Sequence, residues 1–321
     1  MFLLKLQNIK TQNMKNKLKI HLVYQGYDHK VSKCLDEALD LIYFSLQDLG
    51  HEVERVMKPS LSPTSEPDLY IINGWIFNMD WQKLPKHKTI IIQLENLITG
   101  TLSEKFNPDI FEGFHVWDYS ITNKKIFRDT KLGSFNEIIW GYHSCLDFFE
   151  PSKSPNTEIL FYGSLTPRRQ TILSKIDGFH EVTCAFNQWG GKMDRLIEDS
   201  KCVANIGAYH PINNETSEGR ILETLRLAYC INNGVLVVSE KAQDTIANEY
   251  WGQFIDIVPL SDIEETIAKN LYDDKFRNKR FELAERYRTE TSMKENMKIL
   301  LESTLKSIKS KGNVLNISNI N

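Results

Sequence analysis

The sequence predicts an α/β protein built as two successive strand-and-helix domains, each Rossmann-like, facing one another across a cleft. Three observations predict it. Short runs of β-branched and apolar residues recur along the chain, each followed by a loop or a helical stripe, the pattern of parallel sheets covered on both faces. The 321 residues are enough for two cored domains of roughly 100–200 residues each. A proline- and serine-containing stretch at 146–157 interrupts the pattern, which then restarts.

Residues 1–17 read as a flexible arm ahead of the first strand. Their apolar run is too short for a signal peptide, and no stretch of the chain approaches the roughly 18–20 apolar residues that cross a bilayer. The run 19–24 (Lys-Ile-His-Leu-Val-Tyr) is a buried strand. Over 31–49, Val31, Leu35, Ala38, Leu39, Ile42, Leu46 and Leu49 form a helical stripe closed by Gly50. Strands follow at 52–56, 68–73, 89–93, 115–120 and 136–140. Residues 18–150 therefore make an N-terminal domain.

The second domain, 151–305, opens with a strand at 158–162. Gly163, Ser164, Thr166 and Pro167 turn the chain into a helix carrying Arg168 and Arg169, with Pro167 suited to a first helical turn. Strands at 182–186, 202–206 and 235–239 alternate with helices at 192–200 and 218–229. From about 261 the chain is helical and charged, and 306–321 is a polar tail.

A net charge of −3 provides no global basic field, which disfavours a nucleic-acid partner without removing it. The five cysteines (Cys34, Cys145, Cys184, Cys202, Cys230) show no metal spacing and read as reduced thiols of a cytoplasmic protein. Peripheral attachment at a membrane stays open. No Asp-x-Asp pair, H-E-x-x-H, Walker or G-x-G-x-x-G pattern occurs, which disfavours bound-metal, P-loop and ordinary dinucleotide chemistry. No metal and no cofactor are expected.

The chemistry concentrates in 215–228. Thr216 or Ser217 can cap a helix whose first turn holds Gly219, where a ligand can approach bare amides. A helix N-terminus is a seat for a diphosphate. Glu223, about a turn further on, is placed to accept hydrogen bonds from two vicinal hydroxyls, as on a ribose. Against this stands a structural reading, since a glycine and two glutamates near a helix start are common. Gly163 and Ser164 at a strand end leave room for a phosphate, and one of Arg168 and Arg169 can reach it; they point about 100° apart on a helix, so the other belongs on the surface. His210 either lines this region or is a loop histidine. In the first half Glu95 lies just past a buried strand, as a general base, an acceptor-binding carboxylate or a loop carboxylate capping a helix. Trp117 and Tyr119 can stack on a sugar, though aromatics in and beside a strand are more often core.

The ordered series Ser200-Lys201, Asn205-Ile206, Arg220-Ile-Leu-Glu223-x-Leu-Arg and Asn233-Gly234-Val-Leu-Val-Val-Ser-Glu240 resembles the C-terminal domain of GT-B glycosyltransferases, nearest the bacterial and viral family-1-type group. Ile159-Leu-Phe-Tyr-Gly163-Ser164 with Arg168-Arg169 resembles the opening of the same domain. The runs Gln93-Leu-Glu95-Asn96-Leu97 and Val116-Trp117-Asp118-Tyr119-Ser120-x-x-Asn123 resemble segments of its N-terminal partner.

The resemblance implies a metal-independent glycosyltransferase, in outline a hexosyltransferase. It would move a sugar from a nucleotide-diphosphate sugar to an acceptor hydroxyl of a glycan, a lipid-linked carrier or another molecule. It implies Glu223 on the ribose, Glu215 facing the donor sugar, and Gly163, Ser164, Arg168, Arg169, Asn205, His210, Gly219 and Arg220 around the donor. The glycine that should closely follow the first glutamate is displaced to Gly219. The resemblance also implies that part of 284–305 crosses back onto the first domain. Two alternatives remain at this point: a non-catalytic nucleotide-sugar-binding or scaffold protein of the same fold, and a DNA-base glycosyltransferase.

Overall fold

In the computed structural model, the structure describes residues 17–24, 35–57, 66–77, 80–99, 105–147, 155–186, 188, 190–208 and 220–311. They form two parallel sheets. The first has six strands in the order β2-β1-β3-β4-β5-β6: β1 Lys19–Tyr24, β2 Glu52–Val56, β3 Leu69–Asn73, β4 Thr89–Gln93, β5 His115–Asp118 and β6 Ser134–Glu137. Every pairing is parallel. Strands β3, β4 and β5 are buried throughout, which is why they read as continuous apolar runs instead of alternating ones.

Helix α1 (Asp36–Asp48) lays Ala38, Leu39, Leu41, Ile42 and Leu46 against one face, with Asp36 and Glu37 in its first turn where the helix dipole favours negative charge. The stripe predicted a start at 31, and residues 31–34 lie outside the described ones. The opposite face is covered by short 3-10 segments packed with aromatics. Trp75, Trp81, Phe111 and Phe127 sit at ring-centroid spacings of 5.0 Å (Trp75 to Phe111), 5.7 Å (Trp81 to Phe111) and 5.4 Å (Phe111 to Phe127). Large rings fill here what a full helix would fill elsewhere.

The second sheet is ordered β11-β10-β9-β7-β8 and is also wholly parallel. Its strands are β7 Thr157–Tyr162, β8 Val182–Ala185, β9 Ser200–Asn205, β10 Leu236–Glu240 and β11 Asp256–Val258. Its helices are α2 Pro167–Asp177, α3 Gly191–Glu198, α4 Thr224–Asn232, α5 Thr245–Trp251 and α6 Ile263–Tyr272. The expected Thr166–Pro167 start of α2 is in place: Pro167 is the first helical residue and the Thr166 hydroxyl accepts from the Arg169 amide.

Two expected elements are shifted. The strand predicted at 136–140 is Ser134–Glu137, an edge strand; Ile138 and Trp140 are buried beyond it, beneath the C-terminal helices. The helix predicted over 218–229 begins only at Thr224. Arg220 is ion-paired with Glu240, and its carbonyl accepts from the Gln243 amide at 3.0 Å, so the chain ahead of 224 is held outside helical geometry.

Helix α7 (Asp274–Glu290) leads to α8 (Met293–Ser310), which packs on α1 and β6 of the first sheet. The buried Trp117 indole N–H donates to Thr304 Oγ1 at 2.9 Å, and Ser307 donates to the Gly133 carbonyl at 2.8 Å. Among the described residues no helix is long and apolar enough to cross a membrane.

Candidate active-site cleft

Open parallel sheets bind ligands at the carboxyl ends of their strands. Here the two sheets turn those ends toward one another and enclose a cleft of about 450 Å³. The first sheet contributes Glu95 beyond β4, Tyr119 beyond β5, and Glu37 from the first turn of α1. The second contributes Gly163 and Ser164 beyond β7, Phe186 beyond β8, Gly207 and Ala208 beyond β9, and the start of α4.

The second wall is the cationic one. Arg169 is buried; its Nε donates to the Ile206 carbonyl at 2.8 Å and its Nη1 to the Ser164 carbonyl at 3.0 Å. The same guanidinium lies 5.2 Å from the Phe161 ring centroid, with Nη2 3.8 Å from a Glu223 carboxyl oxygen. Arg226, in the first turn of α4, donates through Nη1 to Asn205 Oδ1 at 3.0 Å and lies 4.7 Å from the Tyr162 ring centroid. Asn205 in turn donates to Ser239 Oγ at 2.9 Å. Gly163 has φ of +130°, and a β-carbon there would stand 3.1 Å from Arg226 Nη2. The backbone conformation favours glycine, and any side chain there would also have to push the Arg226 guanidinium aside by a few tenths of an ångström. Thr224, the first residue of α4, is buried in the lining, and its Oγ1 has no hydrogen-bond partner among the described residues. Two guanidinium groups, a helix N-terminus and a hydroxyl thus face one space, the means of holding an anion.

The first wall is acidic. Burial, with the Glu223 charge adding to it, pushes the Glu95 carboxyl up to about 7. Burial also raises Glu37, to about 8; Asp194 and Asp36 push the same way while Arg226 opposes them. Tyr229, lining the cleft beside Glu37, donates its hydroxyl to Asp194. A carboxyl that titrates near neutrality at hydrogen-bonding reach of a cleft is suited to accept a proton.

Of the residues named from sequence, Glu95, Gly163, Ser164, Arg169, Arg220 and Glu223 line this cleft together. Arg168 and Asn205 stand behind it. Arg168 makes a two-pronged pair with Glu240 and donates to the Gly207 carbonyl at 2.7 Å. Glu240 also accepts from Arg220 and from the Gly207 amide at 3.0 Å. Burial alone would raise the Glu240 carboxyl, but these pairings outweigh it and hold it low. The group is a buried ionic hub that fixes the loop after β9.

Two sequence expectations are corrected. Neither arginine of the Arg168-Arg169 pair is at the surface: both are buried, one on Glu240 and one on the loop carbonyls. Glu223 is the N-cap residue of α4, with no side-chain cap bond, and not a residue one turn inside a helix. Glu215, His210 and Gly219 themselves lie outside the described residues. Trp117 is core, whereas Tyr119 reaches the cleft.

Sequence reasoning quoted Arg226 as the end of the run from Arg220 but gave it no role, and it missed Thr224 and Glu37. Arg226 had a signal, since it follows Glu223 by three positions, the spacing of neighbours on one helix face. Glu37 had none, because nothing in its own helix indicates that the other sheet closes over it.

No family model and no curated protein matches the chain. Solved structures do. HepE of Anabaena, in complex with UDP and glucose, superposes over 90% of this chain and 100% of its own, with a TM-score of 0.57 at 14% identity. AviGT4, a glycosyltransferase involved in avilamycin A biosynthesis, covers 91% and 98%, with a TM-score of 0.53 at 12% identity. The β-glucosyltransferase of phage T4 covers 89% and 99%, with a TM-score of 0.54 at 10% identity. At these identities the likeness is one of fold, and the fold is GT-B.

Proposed function

We propose that the chain transfers a sugar, a hexose in outline, from a nucleotide-diphosphate sugar to an acceptor hydroxyl without using a metal ion. One observation carries this reading: Glu95 from one sheet and Arg169, Arg226, Thr224 and Glu223 from the other meet in a single cleft. Its volume is in the range of small-molecule sites. HepE holding UDP and glucose in the same architecture supports it.

In this reading residues 151–305 hold the donor and 18–150 the acceptor. The diphosphate lies on the α4 N-terminus and the Thr224 hydroxyl, flanked by Arg169 and Arg226, while Glu223 accepts from the ribose hydroxyls. Glu95 takes the proton of the acceptor hydroxyl as its oxygen bonds to the anomeric carbon. The bond from that carbon to the phosphate oxygen breaks, and the diphosphate leaves with the electron pair. The arginines and helix amides stabilise the charge that develops there, the role otherwise filled by a cation. The four described cysteines are free, in keeping with the cytoplasm as the proposed location.

The test is a thermal-shift screen of UDP, GDP and TDP and their sugars, followed by an assay for nucleotide release with neutral sugar acceptors and with DNA. A ligand that binds only the native state raises Tm by mass action. Stabilisation by one nucleoside diphosphate and its release on turnover is the expected result. Binding without release identifies a non-catalytic binder, and no stabilisation by any of them removes the reading.

A further inference from the structure

Asp118 ends β5, is fully buried and is no part of the cleft lining. Its Oδ1 accepts from the Ser120 amide at 2.9 Å and from Asn123 Nδ2 at 3.0 Å, and its Oδ2 accepts from Gln93 Nε2 at 3.4 Å. The two carboxamides that face it are the ones that hold the Glu95 backbone. Gln93 Oε1 accepts from the Glu95 amide at 2.9 Å, and Gln93 Nε2 donates to the Glu95 carbonyl at 2.5 Å. Asn123 Nδ2 donates to the same carbonyl at 2.9 Å, and Asn123 Oδ1 accepts from the Leu97 amide at 3.1 Å.

A carboxamide has a donor end and an acceptor end, and a half turn exchanges them. Burial raises the Asp118 carboxyl well above the usual carboxylate range, yet every group that bonds it is a donor, the Ser120 N–H among them, and both amides turn their NH2 ends toward it. That choice leaves Gln93 Oε1 for the Glu95 N–H and Asn123 Oδ1 for the Leu97 N–H. Reversing Gln93 would set NH2 against N–H and oxygen against carbonyl. We infer that Asp118 is a positioning residue for the transfer reaction: through Gln93 and Asn123 it fixes the peptide that carries Glu95, and so the place where the Glu95 carboxyl meets the acceptor. The inference rests on the role proposed for Glu95. Pairing of β4 with β5 sets Gln93 beside Asp118, which brings the two runs together.

Asp118→Asn keeps the shape and places an NH2 against donors. Nucleotide binding, made by the other wall, reports whether the fold persists. The expected result is a fall in kcat of about 100-fold, the cost of misplacing a reacting group by about 1 Å, with nucleotide affinity held within about twofold. The acidic limb of the kcat profile should move down toward the ordinary carboxylate range as Glu95 swings out of its buried seat. On a Glu95→Gln background, Asp118→Asn should lower the rate no further, because both act through one group.

Three results overturn the inference: a lowered Tm with kcat and its acidic limb unchanged, a full loss added on top of Glu95→Gln, or an unmoved limb. Should Asp118→Asn fail to bind nucleotide, Gln93→Met carries the test by removing the relay next to Glu95, and an unchanged kcat there overturns it. A Glu95→Gln variant with parental activity refutes the role of Glu95 itself, whatever Asp118→Asn does.

Discussion

Arg226 gives the sharpest test of the donor wall. Arg226→Met keeps an unbranched apolar stem at this position and removes the guanidinium that lies 4.7 Å from the Tyr162 ring centroid. A unit charge about 4 Å from a guanidinium interacts by about 4 kcal/mol at an effective dielectric of about 20. Displacing water from both partners reduces this, and a hydrogen bond to a charged group is worth about 1.5–3 kcal/mol net. Taking about 2 kcal/mol, the Kd for the bound nucleoside diphosphate should rise about 30-fold. The corresponding nucleoside, which has no phosphate, should bind as before. Asn205 Oδ1 loses the 3.0 Å bond from Arg226, so stability should fall by about 1 kcal/mol. Calorimetric titration of both ligands against parent and variant measures all of this except the stability term, which a denaturant melt supplies. A Kd for the diphosphate within about threefold of the parent, or equal weakening of nucleoside and diphosphate, refutes the assignment of Arg226 to the diphosphate.

Four further outcomes follow. Glu95→Gln should lower kcat by about 100-fold or more with nucleotide affinity kept. In the parent, the Glu95 carboxyl is raised to about 7 and works only when ionised, so kcat should climb as pH rises through about 7; a rate flat between pH 5.5 and 8.5 would exclude it as the base. Glu223→Gln should weaken ribonucleotide binding about tenfold and abolish preference over the 2′-deoxynucleotide. Because the Glu223 charge raises Glu95, it should also shift the acidic limb to lower pH, and a limb moving upward contradicts the arrangement. Thr304→Val removes the acceptor of the buried Trp117 indole N–H, which costs about 1–3 kcal/mol and should lower Tm without touching nucleotide affinity; an unchanged Tm refutes a stabilising role for this bond.

The sequence by itself marked most of the strands, but it set the last strand of the first sheet two residues late and did not mark β11. Runs such as 19–24, 69–73 and 89–93 are apolar on both sides because they are covered on both faces, and that pattern needs no tertiary knowledge. It also identified the Gly163–Ser164 turn, the Thr166–Pro167 helix start and Glu95 at a strand end, since each follows from local backbone geometry. Where an element begins was less legible when a distant partner set it. Helix α4 starts at Thr224 and not at 218 because Arg220 is held by Glu240, from another strand. The same ionic hub holds Arg168 on Glu240 while Arg169 lines the cleft, a division that two adjacent arginines do not reveal by themselves. Only the tertiary structure placed Glu37 opposite Arg226, and Asp118 behind Glu95. These juxtapositions join chain segments between about 25 and 190 residues apart. What decides them is which strand ends the parallel topology brings together, and no local periodicity records that.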